Sequence, residues 1–271
     1  MPRSDEIAEA RKQGRAALDE TAGKRLLASF GVAVPKSLVV QDANEAQKAC
    51  GKLSPPLALK VISPDLLHKS DAGGVKIGLK NAAEVEAAIR AMMKLPAISG
   101  ARIDGFLLEE MAPAGQEIVI GGLRDPQFGP LVMVGLGGIF VEVLADVAFR
   151  ICPITRADAG EMLDDLKGAA VLRGARGRKP VSRDAIIDAL LKIGGASGLL
   201  MTHAGEILEA DINPLIVSET GAVAVDARFV LMKQRSDAVT RNEERETSNV
   251  IERFKPLFEP RTVAVVGAST K

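Results

Sequence analysis

Residues 57–79 read LALKVISPDLLHKSDAGGVKIGL. Two apolar runs, Leu57–Ile62 and Val75–Leu79, flank a polar stretch rich in turn formers, and each run has the length of a strand. Alternation along the first run puts Lys60 on the same side as Ala58 and Ile62. A lysine in mid-strand among apolar neighbours needs an anion or a route to solvent, because an uncompensated ammonium is costly to bury. Two readings follow for it: a contact to a phosphate group, or a stem lying along a sheet edge with its head in water. In the connecting loop, His68 stands among Lys69, Ser70 and Asp71, ahead of Gly73 and Gly74. A histidine so placed is either a nucleophile towards phosphorus or an ordinary surface side chain.

Outward from this stretch the chain keeps mixing strands and helices. Asp19 opens a helical pattern in which Leu18, Ala22, Leu26, Leu27 and Phe30 share a face, with Gly31 at the C-terminal cap and Pro35 beyond. Lys36–Val40 reads as a strand, and Asp42 with Glu45 as the capping pair of a short helix. Asn81 and Glu84 cap another helix, whose apolar face is Val85, Ala88, Ile89 and Met92. Phe106–Met111, Glu117–Leu123 and Leu131–Val134 read as strands. Helices are expected near 156–166 and 182–193, and strands return at Ile207–Ile212 and Ala222–Asp226. Without a strict β-α-β rhythm, the expected class is α+β with at least partly antiparallel sheets. Residues 1–14 are polar and charged, an N-terminal extension that forms a leader or an extra helix. Residues 233–259 are dense in charge and read as a linker.

The 271 residues are 47% hydrophobic and 26% charged, with a formal net charge of zero. That balance argues against a nucleic acid or an acidic membrane surface as partner. Trp and Tyr are absent, so aromatic stacking platforms are limited to Phe and His. Cys50 and Cys152 are far apart in sequence and read as reduced thiols, which with the lack of a secretory h-region suggests the cytoplasm. No apolar run approaches the ~20 residues that span a bilayer.

Glu209, Asp211 and Asn213 alternate in LEADINPL, so an extended strand points all three to one face. Asp226 would lie beside them if the strand ending in VAVD folds back as a hairpin. Carboxylates with an amide oxygen are hard ligands suited to Mg²⁺ held jointly with phosphates; the plain alternative is an exposed polar strand face. Gly135, Gly137 and Gly138 in GLGG follow a strand and offer backbone N–H groups to a phosphate, or simply a tight turn. Phe140 stands where a dinucleotide fingerprint needs its third glycine. His203, in MTHAGE, has no supporting partners in sequence and reads as structural.

Together with FLLEEMAPAGQEIVIGGLRDPQFGP (106–130), VGLGGIFVEVLADVAFRICPIT (134–155), EADINPLIV (209–217) and AVAVDAR (222–228), the first stretch resembles the ATP-grasp (beta) component of the ADP-forming acyl-CoA synthetases, relatives of succinyl-CoA synthetase. The resemblance runs over residues 18–230. It implies a two-subdomain ATP-grasp fold at 15–232, divided at about 108/109, with ATP or ADP and Mg²⁺ as its ligands. By that resemblance Lys60 contacts phosphates. Glu109, Glu110 and Met111 form a hinge that takes adenine by its backbone. Glu117 lies near the ribose, Asn213 and Asp226 bind Mg²⁺ with Asp211 close by, His68 relays the phosphoryl group, and Glu142 assists transfer. PRTVAVVGAS resembles the opening of the family's Rossmann-like CoA-binding domain, so 260–271 is its truncated start and the chain is expected to be a piece of a longer enzyme. CoA and a carboxylic acid would then be met through that domain, in the same chain or in a separate subunit. Two further readings differ in class: a ligand-sensing module of a protein acetyltransferase, and an ATP-grasp carboxylate–amine ligase. The first expects the opposite domain order; the second leaves the HKSD segment without a role.

Overall fold

The computed structural model of the chain describes residues 5–66, 69–137, 145–174 and 179–233. In chain order it begins α1 (Asp5–Lys12), β1 (Ala17–Leu18), α2 (Glu20–Ser29), β2 (Ser37–Val40), α3 (Ala43–Cys50), β3 (Leu57–Ile62), β4 (Val75–Leu79), α4 (Ala82–Met92) and β5 (Gly105–Glu110). It continues with β6 (Gln116–Asp125), β7 (Gly129–Leu136), β8 (Val147–Ile151), β9 (Ile207–Val217), β10 (Ala222–Ala224) and β11 (Arg228–Leu231), with helices Arg156–Asp164 and Arg183–Gly194 between β8 and β9. The strands form two sheets, ordered β2-β5-β3-β4 and β1-β11-β9-β6-β7-β8, with β10 also pairing β9. All these strand pairings are antiparallel, the α+β class expected.

The helix starts follow from their capping residues. Asp19 accepts from Ala22 N, Asp42 from Asn44 N and Glu45 N, and Asn81 from Glu84 N. Each side chain satisfies donors that the first helical turn leaves open. Gly31 takes φ +78° after α2, the left-handed conformation that glycine adopts without steric cost.

The small sheet has its own core. Leu57, Leu59 and Val61 of β3 alternate into it with Leu108 of β5, and Val85, Ile89 and Met92 of α4 cover them. That alternation turns Ala58 and Lys60 to the opposite face. The large sheet's core joins Ile118, Ile120, Val132, Val134, Ile212, Leu215 and Phe229 to Ile186 and Leu190 of the helix Arg183–Gly194 and, from the N-terminus, to Ile7, Ala22, Leu26 and Leu27.

Residues 5–12 form the extra helix that was one of the two readings of the N-terminal extension, and its Ile7 and Ala10 are buried in the large core. Helix α2 belongs to the large sheet's layer, although it precedes the small sheet in sequence. Gly23 is the contact point: a Cβ there would lie 2.8 Å from Ala227 O and 3.3 Å from the Phe229 ring. The division expected at 108/109 would fall inside β5, whose Glu109 is still paired with Ser37 and Ala58. The small sheet is therefore an insertion into the larger layer. The linker expected at 233–259, apart from Lys233, and the strand expected at 260–271 lie outside the described residues. Among the described residues no helix is long and apolar enough to cross a membrane.

Candidate nucleotide site

Lys60 sits on the face of β3 away from the small core and is 6% exposed. Its Nζ donates to Glu20 Oε1 at 2.7 Å and to Val225 O at 3.0 Å. Glu109 Oε1 is 2.8 Å away. Lys24 Nζ joins Glu20 Oε1 at 2.8 Å to Glu109 Oε2 at 2.5 Å. Lys69 Nζ donates to Glu20 Oε2 at 2.7 Å. The expected reading of Lys60 as a lysine that must find anions is thus met by two carboxylates.

Burying charges is tolerable only when they are paired and hydrogen-bonded. Burial works against the charge on Lys60, but Glu20, Glu109 and Asp226 outweigh it and hold the ammonium well above the ordinary lysine range. Burial likewise opposes ionisation of Glu20, yet Lys60, Lys24 and Lys69 pull its carboxyl down from 4.5 to about 2.

The other wall of the site comes from β9. Ala210 and Ile212 point into the core, while Asp211 and Asn213 point outward, as their alternation requires. Ala224 lies opposite Leu215, and Arg228 opposite Asp211. The register is the same on both sides of the gap, so Asp226 falls opposite Asn213. The three oxygen-bearing side chains therefore share one face of the sheet. Asp226 Oδ1 accepts from Ala227 N. Burial first, then the charge of Glu20, raise the Asp226 carboxyl above its ordinary range, against the pull of Lys60, Lys69 and Lys24. Asp211 is exposed by area, yet protein atoms crowd its carboxyl enough to raise it, with Arg228 opposing. Among the described residues no three His, Cys, Asp or Glu side chains gather as a metal cage. One or two carboxylates and an amide oxygen are the donor set expected where substrate phosphates complete the shell of Mg²⁺, so these residues fit that ion.

Other expectations need correction. The N–H groups of Glu110 and Met111 donate to Lys36 O and Pro56 O. Glu109 acts through its side chain as well: it is 1% exposed and carries two of the ion pairs above. The Glu110 side chain accepts from Ser54 N. Gly135 lies within β7, opposite Val119 and Val147, where its backbone serves the sheet and not a phosphate. Gly137 N donates to Glu117 O, and a Cβ on Gly137 would lie 2.7 Å from Glu117 Cβ. This glycine lets the end of β7 lie close against the start of β6. Glu117 is exposed on the β6 face opposite to Ile118 and Ile120, the face on which Asp211 stands across from Gly121. His68, Gly138 and Glu142 lie outside the described residues. His203 is structural: it is 3% exposed, bonded through Nδ1 to Glu206 Oε2 at 2.8 Å, and edge-on to Phe30.

Sequence reasoning missed Glu20, Lys24 and Lys69. Glu20 and Lys24 look like an ordinary exposed i, i+4 pair.

The model of the ATP-grasp domain family matches residues 9–231. The beta subunit of ADP-forming acetate–CoA ligase I of Pyrococcus furiosus is 44% identical over 233 residues, 85% of this chain and 99% of that one. The chain belongs to the ATP-grasp family, among the ADP-forming acyl-CoA synthetases. This ATP-grasp chain is also 42% identical over 210 residues to ADP-forming acetate–CoA ligase I of Archaeoglobus fulgidus; that match covers 77% of the chain and 30% of the relative. Among solved structures, the acetyl-coenzyme A synthetase 1 of Ca. Korarchaeum cryptofilum superposes with a TM-score of 0.79 at 40% identity, over 84% of the ATP-grasp chain and 99% of its counterpart, in a complex with coenzyme A and Ca-AMPCP. In a second complex, with coenzyme A and Mg-AMPPCP, the TM-score is 0.73 at 39% identity over the same shares, and a phosphohistidine segment points towards the nucleotide binding site.

Proposed function

We propose that this chain binds Mg-ATP between its two sheets and passes the γ-phosphoryl group to His68, as the phosphoryl-transfer half of an ADP-forming carboxylate–CoA ligase. The observation that carries the reading is the bond from Lys60 Nζ to Val225 O, next to Asp226. It brings the cationic strand of the small sheet against the oxygen-rich strand of the large one. Lys60 and Lys69 supply positive charge for the phosphates, while Asp226, Asn213 and Asp211 face the same space with oxygen donors. Mg²⁺, when bound there, neutralises phosphate charge and orients the chain of phosphates. In the transfer itself an imidazole nitrogen bonds to the γ-phosphorus as the bond from that phosphorus to the bridging oxygen breaks, and ADP departs with the electron pair. A neutral ring is available because the unperturbed imidazole pKa is ~6.5. Catalysis is then positioning and charge neutralisation.

Lys69 ties the chain segment next to His68 to Glu20, and Gly74 N and O anchor the loop's far end to Lys69 O and Val61 N. That arrangement supports His68 as the acceptor. The overall reaction is carboxylate + CoA + ATP ⇌ acyl-CoA + ADP + phosphate, with CoA and the carboxylic acid held by a CoA-binding partner domain. Glu117 is assigned to the ribose, the backbone at Glu109–Met111 to the adenine, and Glu142 to assisting transfer. The supply of ATP, ADP and CoA puts the reaction in the cytoplasm. The test is labelling from γ-³²P-ATP in the complete enzyme: acid-labile, base-stable label is expected, and it disappears in His68→Ala. Unchanged labelling in that variant would refute His68 as acceptor.

A further inference from the structure

Lys24, Glu20, Lys60 and Glu109 form a closed ring of alternating charges. Lys24 meets Glu20 and Glu109, and Lys60 meets the same two carboxylates from the other side. Two members stand on α2, in the large sheet's layer, and two on β3 and β5 of the small sheet. Lys24 is 3% exposed. It is therefore poorly placed to touch a ligand, and its work is done through its neighbours.

The charges show what that work is. Lys24, Lys60 and Lys69 face Glu20 and Glu109, and the charge of Asp226 reaches all three lysines as well; with Asp226 given over to Mg²⁺, as proposed above, one positive charge is left for an anionic ligand. Without Lys24 the two carboxylates would consume both remaining lysines. Lys60 would then be held as a saturated ion-pair partner, with nothing surplus to offer a phosphate. The structure assigns Lys24 as a positioning residue: by neutralising the inner side of Glu20 and Glu109, it leaves Lys60 and Lys69 free to hold phosphate. This inference rests on the reading of Lys60 as the phosphate lysine and deepens it.

The experiment measures Mg-ADP affinity by calorimetry on the complete enzyme, with melting curves taken in the absence of nucleotide. Lys24→Met is expected to weaken Mg-ADP by about tenfold, the scale of one charged hydrogen bond. Adding Glu109→Gln restores the original surplus of one charge, and Lys24→Met/Glu109→Gln should bind within about threefold of wild type. Lys24→Arg should bind like wild type. A merely structural lysine gives the opposite pattern, since a second polar deletion adds to the damage of the first. A double variant that binds no better than Lys24→Met overturns the assignment. Should Lys24→Met fail to fold, the neutral double variant decides against wild type directly, with a tenfold loss overturning the proposal. Lys60→Met separates the two claims. If it weakens Mg-ADP and Lys24→Met does not, the assignment of Lys24 fails alone. If Lys60→Met changes nothing, the phosphate role of Lys60 fails first.

Discussion

Glu20 gives the site a measurable dependence on acid. Its folded-state pKa is about 2 against an ordinary value of 4.5, and its side chain is 5% exposed, so solvent screening is slight. At 1.36 kcal/mol per unit, the depression contributes about 3 kcal/mol to stability at neutral pH. Because the folded value lies below the unfolded one, the contribution is present above pH 4.5 and lost as the pH falls towards 2. Glu20→Gln mimics the protonated acid at every pH. The assay is urea unfolding of wild type and Glu20→Gln at a series of pH values. Wild type should be about 3 kcal/mol more stable at pH 6, and the gap should shrink by about 2 kcal/mol by pH 3. Parallel stability curves over that range would show that the three lysines do not depress Glu20, and the account of the ring would fall with them.

Asp226→Ala should weaken Mg-ATP at least about tenfold while leaving Mg-free nucleotide binding nearly unchanged; calorimetry with and without Mg²⁺ checks this, and equal losses in both would remove Asp226 from the donor set. Gly137→Ala should lower the melting temperature by roughly 3–10 °C, since the added Cβ meets Glu117 Cβ at 2.7 Å and Glu117 O at 3.0 Å and such overpacking costs about 1–3 kcal/mol. A calorimetric scan unchanged by that substitution would mean that β6 and the end of β7 can separate freely.

Much of this architecture is written in local chemistry. Asp19, Asp42 and Asn81 announce their helices because a capping side chain acts within three residues of itself. The outward set of β9 is legible for the same reason, since alternation alone fixes which face Asp211 and Asn213 take. Strand β8 is obscure because Phe149 and Ile151 are exposed at 55% and 51%, so its apolar residues do not mark the buried face. Strand β11 is only four residues long. Gly135 misleads because a glycine inside a strand and one in a phosphate loop look alike until the register is known. The charged ring was hidden most deeply. Its members come from positions 20, 24, 60 and 109, with Lys69 attached at Glu20, and only tertiary folding converts an ordinary helical Glu–Lys pair into part of a buried network.

The insertion of the small sheet has a consequence for synthesis. Strand β1 pairs with β11 through Ala17 opposite Val230, and Gly23 packs on Ala227, so α1 and α2 find their seats only when β11, the last strand among the described residues, exists. A nascent chain leaving the ribosome can close the small sheet early, because β2 to β5 are contiguous in sequence. The N-terminal helices must wait, with Ile7, Leu26 and Leu27 exposed and Lys24 without Glu109, for almost the whole domain to emerge. During that interval the apolar side of α2 is open to chaperones. The same interval separates a small sheet that is already folded from a nucleotide site that does not yet exist.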